Sequence, residues 1–323
     1  MKMLLKEANI KPIVAGFIKN SVFLRKLMPL KTGGTNNSRY CYSVWLRHLV
    51  KINMGNKLFL PESVAELGPG DSLGIGIASL LSGAKEYIAL DIQKYWNPAQ
   101  NVKMLEDLLV LFKNREPIPD ENEFPNVQPK LVDYSFPAAI LSDDLLMTCL
   151  TPERIEAIKM ELTNPDNTDN VFIKYFIPWS NPEVVRKESV ELIISQAVLE
   201  HVDELEGTYR AMNQWLKTDA IMSHSIDFKS HGFTKSWNGH WTLSEWEWKI
   251  VRGGRFYAIN REPFSTHLRI MNQTGFKIEN TELKKLPGKI KINQLAKSFS
   301  KLSAEDITVS GMYVIALKES SAL

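Results

Sequence analysis

Residues 64–91 constrain this chain more than any other stretch. The apolar run Val64-Ala-Glu66-Leu ends in a glycine turn, Gly68-Pro-Gly70. A small-residue helix follows, from Leu73 to Ser82, ending near Gly83. Glycines let a backbone bend sharply and approach a ligand closely. The next helix presents its free N–H groups at that turn. A second apolar run, Tyr87-Ile-Ala-Leu-Asp91, again ends in a carboxylate. A carboxylate at the tip of a second strand is placed to accept hydrogen bonds from ribose hydroxyls. The spacing predicts a nucleoside-binding βαβ unit.

The dinucleotide fingerprint has three glycines spaced G-x-G-x-x-G. Here Gly68, Gly70 and Gly74 are spaced G-x-G-x-x-x-G, with Glu66 two residues upstream. That acid would repel a pyrophosphate and attract an ammonium group. S-adenosylmethionine carries an ammonium, a sulfonium and a ribose but no phosphate, so the pattern favours it over NAD. An NAD-dependent oxidoreductase is the disfavoured reading.

A third motif lies downstream. The strand-like Val190-Glu-Leu-Ile-Ile-Ser195-Gln196 runs into Ala-Val-Leu-Glu200-His201-Val. A helical stretch, 203–215, and the strand 220–227 follow. With these motifs in order, the chain resembles the class I S-adenosylmethionine-dependent methyltransferases. It is closest to those with an E-x-G-x-G loop, an acidic end to strand two and VLEHV after strand four. The resemblance spans about 60–95 and 170–318. It implies a Rossmann-like, seven-stranded, mostly parallel sheet whose last strand inserts antiparallel, as 306–317 would. It implies that Glu66, Gly68, Gly70, Ser72, Asp91, Ile92, Ser195, Gln196, Glu200 and His201 line the cofactor. Two departures stand out. No acid follows strand three, 171–177, so Ile92 or Ile177 would pack the adenine. Leu216-Lys-Thr-Asp219-Ala replaces the family's Pro-Gly-Gly turn; Asp tolerates left-handed dihedrals better than most residues.

Strand patterns occur at 63–67, 86–91, 171–177, 190–195, 220–227, 276–282 and 307–317. Helical patterns separate most of them, which argues for an α/β parallel sheet. Residues 1–60 read as a helical segment, with a rough apolar face (Phe17, Val22, Leu24, Leu27), a loop over 31–38 and an aromatic-rich helix over 40–50. Residues 61–95 and 170–323 form the methyltransferase domain. Between them, 96–169 carries helical patterns at 102–112 and 152–162 around a proline-rich stretch. An unstructured loop of that length would be unusual, so it reads as an inserted helical subdomain. A lid over the active site is its favoured role, and a buttress to the sheet edge is the alternative.

The 323 residues are 44% hydrophobic, enough for a full core, and a net charge of +2 argues against general attraction to nucleic acid. Cys41 and Cys149 lie far apart in sequence, so a reducing, cytoplasmic compartment is the expectation. No apolar run approaches the ~20 residues that span a bilayer. That leaves at most a peripheral contact through the basic first thirty residues.

The acceptor side is marked by a run of polar and aromatic residues. His224, His231 and His240, half of the chain's six histidines, fall in a short span with Asp227, Trp237 and Trp241. A neutral histidine suits removal of a hydroxyl proton. His231 or His240, assisted by Asp227, are the candidate bases; a loop tied by hydrogen bonds is the equal alternative. A metal bound by His224, Asp227, His231 and His240 is disfavoured, because the spacing matches no strong metal signature. Trp237 and Trp241 could stack against an acceptor, with a hydrophobic brace for the loop as the slightly favoured alternative, and His224, Arg255 and Arg261 could hold the acceptor. The expected activity is methyl transfer to a small molecule or glycan unit, preferably at oxygen. Transfer to nitrogen and a non-catalytic, partner-binding module are the alternatives.

Overall fold

The computed structural model describes residues 7–9, 34–55, 58–95, 97–179, 181–255 and 258–319. The apolar face expected over 17–27 lies outside them. The described chain forms helices α1 (Ser38–Ile52), α2 (Gly74–Leu81), α3 (Pro98–Lys113), α4 (Asp143–Cys149), α5 (Pro152–Thr163), α6 (Leu205–Trp215), α7 (Glu245–Arg252) and α8 (Phe264–Gln273). Its strands are β1 (Ser63–Leu67), β2 (Glu86–Leu90), β3 (Ile173–Phe176), β4 (Val190–Gln196), β5 (Leu216–Asp227), β6 (Phe276–Lys285) and β7 (Val309–Lys318).

All seven strands join one sheet in the order β3-β2-β1-β4-β5-β7-β6. The first five run parallel, and β7 lies antiparallel between β5 and β6. This is the Rossmann-like sheet of the class I methyltransferase fold, with the order reversing beside β1. At such a switch point the carboxyl ends of the strands open a crevice for ligands.

Both faces of the central strands are covered, so these strands are apolar throughout rather than alternating. β1 is buried at every residue. On one face, Val64, Tyr87, Ala89 and Leu192 pack with α1 and α2. On the other, Ala65, Ile88, Ile193 and Met222 pack with α6 and α8. Residues 96–169 share the first of these cores. Met104, Leu105, Leu108 and Phe112 of α3 and Ile158 and Leu162 of α5 belong to the same cluster as α2. The segment thus supplies the β2-to-β3 crossover as well as the irregular stretch between α3 and α4.

Arg47 of α1 pins that irregular stretch. It is fully buried, and its guanidinium donates to the carbonyls of Pro119 (2.7 Å), Val127 (2.9 Å) and Pro129 (3.3 Å). Asn37 caps α1 by accepting from the Arg39 and Tyr40 amides, as Asn commonly does. In β5, Asp219 adopts the left-handed conformation (φ 61°) expected of it.

Candidate functional site

The turn after β1 is built as the glycines suggest. Gly68 and Gly70 have φ values of 64° and 75°, which side-chain-bearing residues adopt only under strain. A Cβ on Gly68 would also lie 2.7 Å from Val198, in the chain leaving β4. The turn therefore packs directly against the end of the neighbouring strand.

Glu66 is enclosed under this turn. Its carboxylate accepts a 2.6 Å hydrogen bond from the Tyr87 hydroxyl, and the Gly76 amide faces it. It is 2% exposed. Burial pushes its pKa up to about 8, and the Tyr87 hydrogen bond only partly offsets this. Gly76 makes the arrangement possible: a Cβ there would lie 2.0 Å from the Tyr87 ring. Glu66 thus meets Tyr87 and α2 rather than open cleft.

Asp91 follows β2, on the cleft side of the same turn. Its carboxylate accepts from the amides of Ile92 (2.7 Å), Gln93 (3.4 Å) and Gly70 (3.4 Å). Burial raises its pKa to about 6 against the pull of those amides. Beside it, Ile92 leaves half of its surface exposed (51%).

Three of the amides at the N-terminus of α2 are already occupied. Asp71 N–H donates to Thr35 Oγ1 (2.9 Å), Leu73 N–H to Asn101 Oδ1 (3.0 Å) and Gly74 N–H to Ser72 Oγ (3.0 Å). Ser72 is buried, and its hydroxyl donates to the Thr35 carbonyl. A phosphate cradle needs such N–H groups free. Thr35 and buried Asn101 are site residues that the sequence reading missed. No local pattern marks them, because they reach the turn only through the packing of α1 and α3.

Across the cleft, Ser195 and Gln196 end β4. Ser195 Oγ is 2.8 Å from His224 Nδ1. Gln196 Oε1 is 3.2 Å from Nε2 of the buried His48, whose Nδ1 is 2.7 Å from Ser223 Oγ. His48, on α1, is a second missed residue. Burial lowers its pKa to about 4 and that of His224 to about 3, so both are neutral. Beyond Gln196 the chain turns at Ala197 (φ 56°) into a short 3-10 turn, Leu199–His201. Asn260 clamps this turn: its side chain donates to the carbonyls of Leu199 and Val202 (2.8 Å each) and its amide to that of Glu200 (2.7 Å).

A cavity of about 300 Å³ lies at the ends of β4 and β5. Gln196, Ser225, Asp227 and Lys229 form one wall, and Tyr40 and residues 123–128 form another. The irregular stretch of the 96–169 segment therefore borders it. A larger cavity, about 440 Å³, sits against Glu86, Ile88, Lys174 and Phe176 on a sheet face. It lies away from the carboxyl ends of the central strands, where ligands of such sheets bind.

The acceptor-side residues separate into two groups. Asp227 and exposed His231 come together, with Asp227 Oδ2 3.6 Å from His231 Nε2. Burial would raise the Asp227 pKa, but His231 and Lys229 hold it at about 2. The other residues brace the loops. His240 is buried against Trp241, and burial lowers its pKa to about 3. Trp241 is buried and donates to the Arg261 carbonyl (2.7 Å), while Trp237 donates to Pro287 (3.0 Å). Buried Arg261 holds the Leu243 carbonyl (2.8 Å) and Glu245 (2.7 Å); Arg255 holds those of Arg252 (2.9 Å) and Val251. Spacing along the chain does not bring His224, His231 and His240 together. His231 instead meets His201, with ring centroids 5.1 Å apart.

No family model matches the chain, and no curated protein matches it. Solved structures that resemble it include an S-adenosylmethionine-dependent methyltransferase from Mesorhizobium loti (14% identity, TM-score 0.40), covering 85% of this chain and 97% of that one. A putative sarcosine dimethylglycine methyltransferase from Galdieria sulphuraria shows 12% identity and a TM-score of 0.43 and covers 85% of each chain. A Haemonchus contortus phosphoethanolamine N-methyltransferase 2, bound to phosphomonomethylethanolamine and S-adenosylhomocysteine, shows 12% identity and a TM-score of 0.41. It covers 88% of this chain and 58% of that one. Likenesses this distant add nothing to what the strand order itself establishes. Among the described residues, no helix is long and apolar enough to cross a membrane.

Proposed function

We propose that the chain binds S-adenosylmethionine at the turn between β1 and α2 and transfers its methyl group to an oxygen of a small molecule or glycan unit. One observation carries the choice of cofactor. Three of the amides that would cradle a phosphate, those of Asp71, Leu73 and Gly74, are taken by Thr35, Asn101 and Ser72, while the carboxylate of Asp91 stands beside the turn. This combination suits an adenosine that carries no phosphate. Asp91 accepts from the ribose hydroxyls, Ile92 packs the adenine, and Gly68 and Gly70 let the methionine part approach the backbone. Glu66 lies beneath the turn, and an ammonium group bound there would draw its raised pKa back down and favour the charged form.

Methyl transfer from a sulfonium is an in-line displacement, so the enzyme must align the acceptor and exclude water. The cavity beyond Gln196 supplies an acceptor space, and the 123–128 wall is the part of the segment suited to a lid. The carboxylate of Asp227 steadies His231 beside that space, as an orienting group does for a base. Among the candidate bases this favours His231 over His240, which is buried against Trp241. It also favours oxygen over nitrogen, because an amine can lose its proton before attack.

The test is formation of S-adenosylhomocysteine with a panel of hydroxyl and amine acceptors. Turnover of hydroxyl acceptors that falls in His231→Ala supports the reading. Turnover of amines only, unaffected by that change, contradicts the choice of oxygen.

A further inference from the structure

The 3-10 turn after β4 and the loop after β5 place three metal-ligating side chains together. Glu200, His201 and His231 each offer one ligand atom, and these atoms lie within 4.8 Å of one another. Glu200 is 2% exposed, and although its own amide and that of Asp227 face it, neither carboxylate oxygen completes a hydrogen bond of ordinary distance and angle among the described residues. A buried carboxylate left so is costly, and retaining one calls for an explanation. Asn260 fixes the backbone of this turn through the carbonyls of Leu199, Glu200 and Val202, which holds the Cα atoms of Glu200 and His201 in place. His231 is exposed, and rotation of its side chain can draw its ring closer to the other two.

We propose that Glu200, His201 and His231 bind one divalent transition-metal ion at the acceptor end of the cleft. Two imidazoles and one carboxylate suit Zn²⁺, Mn²⁺, Fe²⁺ or Co²⁺ rather than Ca²⁺ or Mg²⁺. Three protein ligands leave at least one position open, the arrangement of a catalytic rather than a structural site. Asp227, 3.6 Å from His231 Nε2, is a positioning residue: a carboxylate behind a ligating imidazole fixes its orientation and raises its basicity. Resting on the proposed acceptor side, this assigns the ion the task of holding and polarising an acceptor oxygen. His231 then serves as a ligand in place of its role as base: the ion acidifies the bound hydroxyl, whose proton passes to water. The three residues are split between positions 200–201 and 231, which is why spacing within the 224–240 run showed no metal signature.

The experiment titrates the full, tag-free chain, stripped of metal, with Co²⁺ and reads visible absorption. It is repeated for Glu200→Gln, His231→Asn and Asp227→Asn, each checked for folding by circular dichroism and thermal midpoint. The proposal expects one equivalent bound with nitrogen-ligand bands. Saturable binding should be lost in His231→Asn and weakened about 10- to 100-fold in Asp227→Asn. His231 is exposed, so its variant remains decisive if Glu200→Gln does not fold. Absence of saturable binding, or binding unchanged in the folded variants, overturns it. Calorimetry of the same samples with S-adenosylhomocysteine separates the two claims. Cofactor bound without Co²⁺ removes only the metal site, and neither bound removes the reading of the whole cleft.

Discussion

Glu66→Gln isolates the consequence of enclosing a carboxyl beneath the glycine turn. In the folded protein burial lifts Glu66 from an ordinary 4.5 to about 8. A carboxyl whose folded pKa is raised stabilises the fold fully below its unfolded value. That contribution is lost as pH rises through the folded value. The window is therefore pH 4.5 to about 8, and stability falls across it. At ~1.4 kcal/mol per pH unit the ceiling is about 5 kcal/mol, and any water that reaches the site lowers it. Glutamine keeps the shape and can still accept from Tyr87 but does not titrate. Its extra N–H group adds a cost that does not change with pH. The prediction is thus a slope: relative to wild type, the variant gains stability steadily from pH 5 to pH 8. Urea unfolding of both proteins at several pH values measures it. A difference that stays constant over this range would refute the account of Glu66 as an enclosed, ligand-free carboxyl.

Other perturbations test neighbouring parts of the account. Gly76→Ala should force the Tyr87 ring from its place and strand the Glu66 carboxyl. The cost is at least about 3 kcal/mol from overpacking and the lost hydrogen bond, read as a lower denaturant midpoint. Arg47→Met leaves three carbonyls of the 119–129 stretch without their donor. It should cost about 3 kcal/mol or more and raise protease sensitivity within that stretch before anywhere else. Asp91→Asn should weaken S-adenosylhomocysteine binding about 10- to 100-fold, the worth of a hydrogen bond to a charged group. In wild type the same affinity should fall as pH drops through about 6, the raised pKa of Asp91. The variant should lack that dependence in calorimetry.

The sheet was legible because its strands are apolar runs bounded by glycines, prolines and charges. The expected strand ranges differ from those observed by only a few residues, the largest difference being the start of β5 at Leu216 rather than 220. Asp219 was legible too, because few residues other than glycine tolerate its φ of 61°. The directions of polar side chains were not. Glu66 lies on β1 where expected, yet it meets Tyr87 because Gly76 leaves room for that ring. Thr35, His48 and Asn101 reach the cleft through helix packing, which no local pattern records. Arg255, Arg261 and Trp241 looked like acceptor ligands from their chemistry. In the fold each is bonded to backbone carbonyls of its own loop region, a need that appears only once the loop is closed. For the same reason the histidine run misled: His231 faces His201, from the other side of β5 in sequence.

Isothermal titration calorimetry of the folded chain with S-adenosylhomocysteine tests the central claim most directly. The account predicts one site per chain, loss of affinity in Asp91→Asn, and no heat with NAD. No measurable association with the thioether product, or a preference for the dinucleotide, would contradict it.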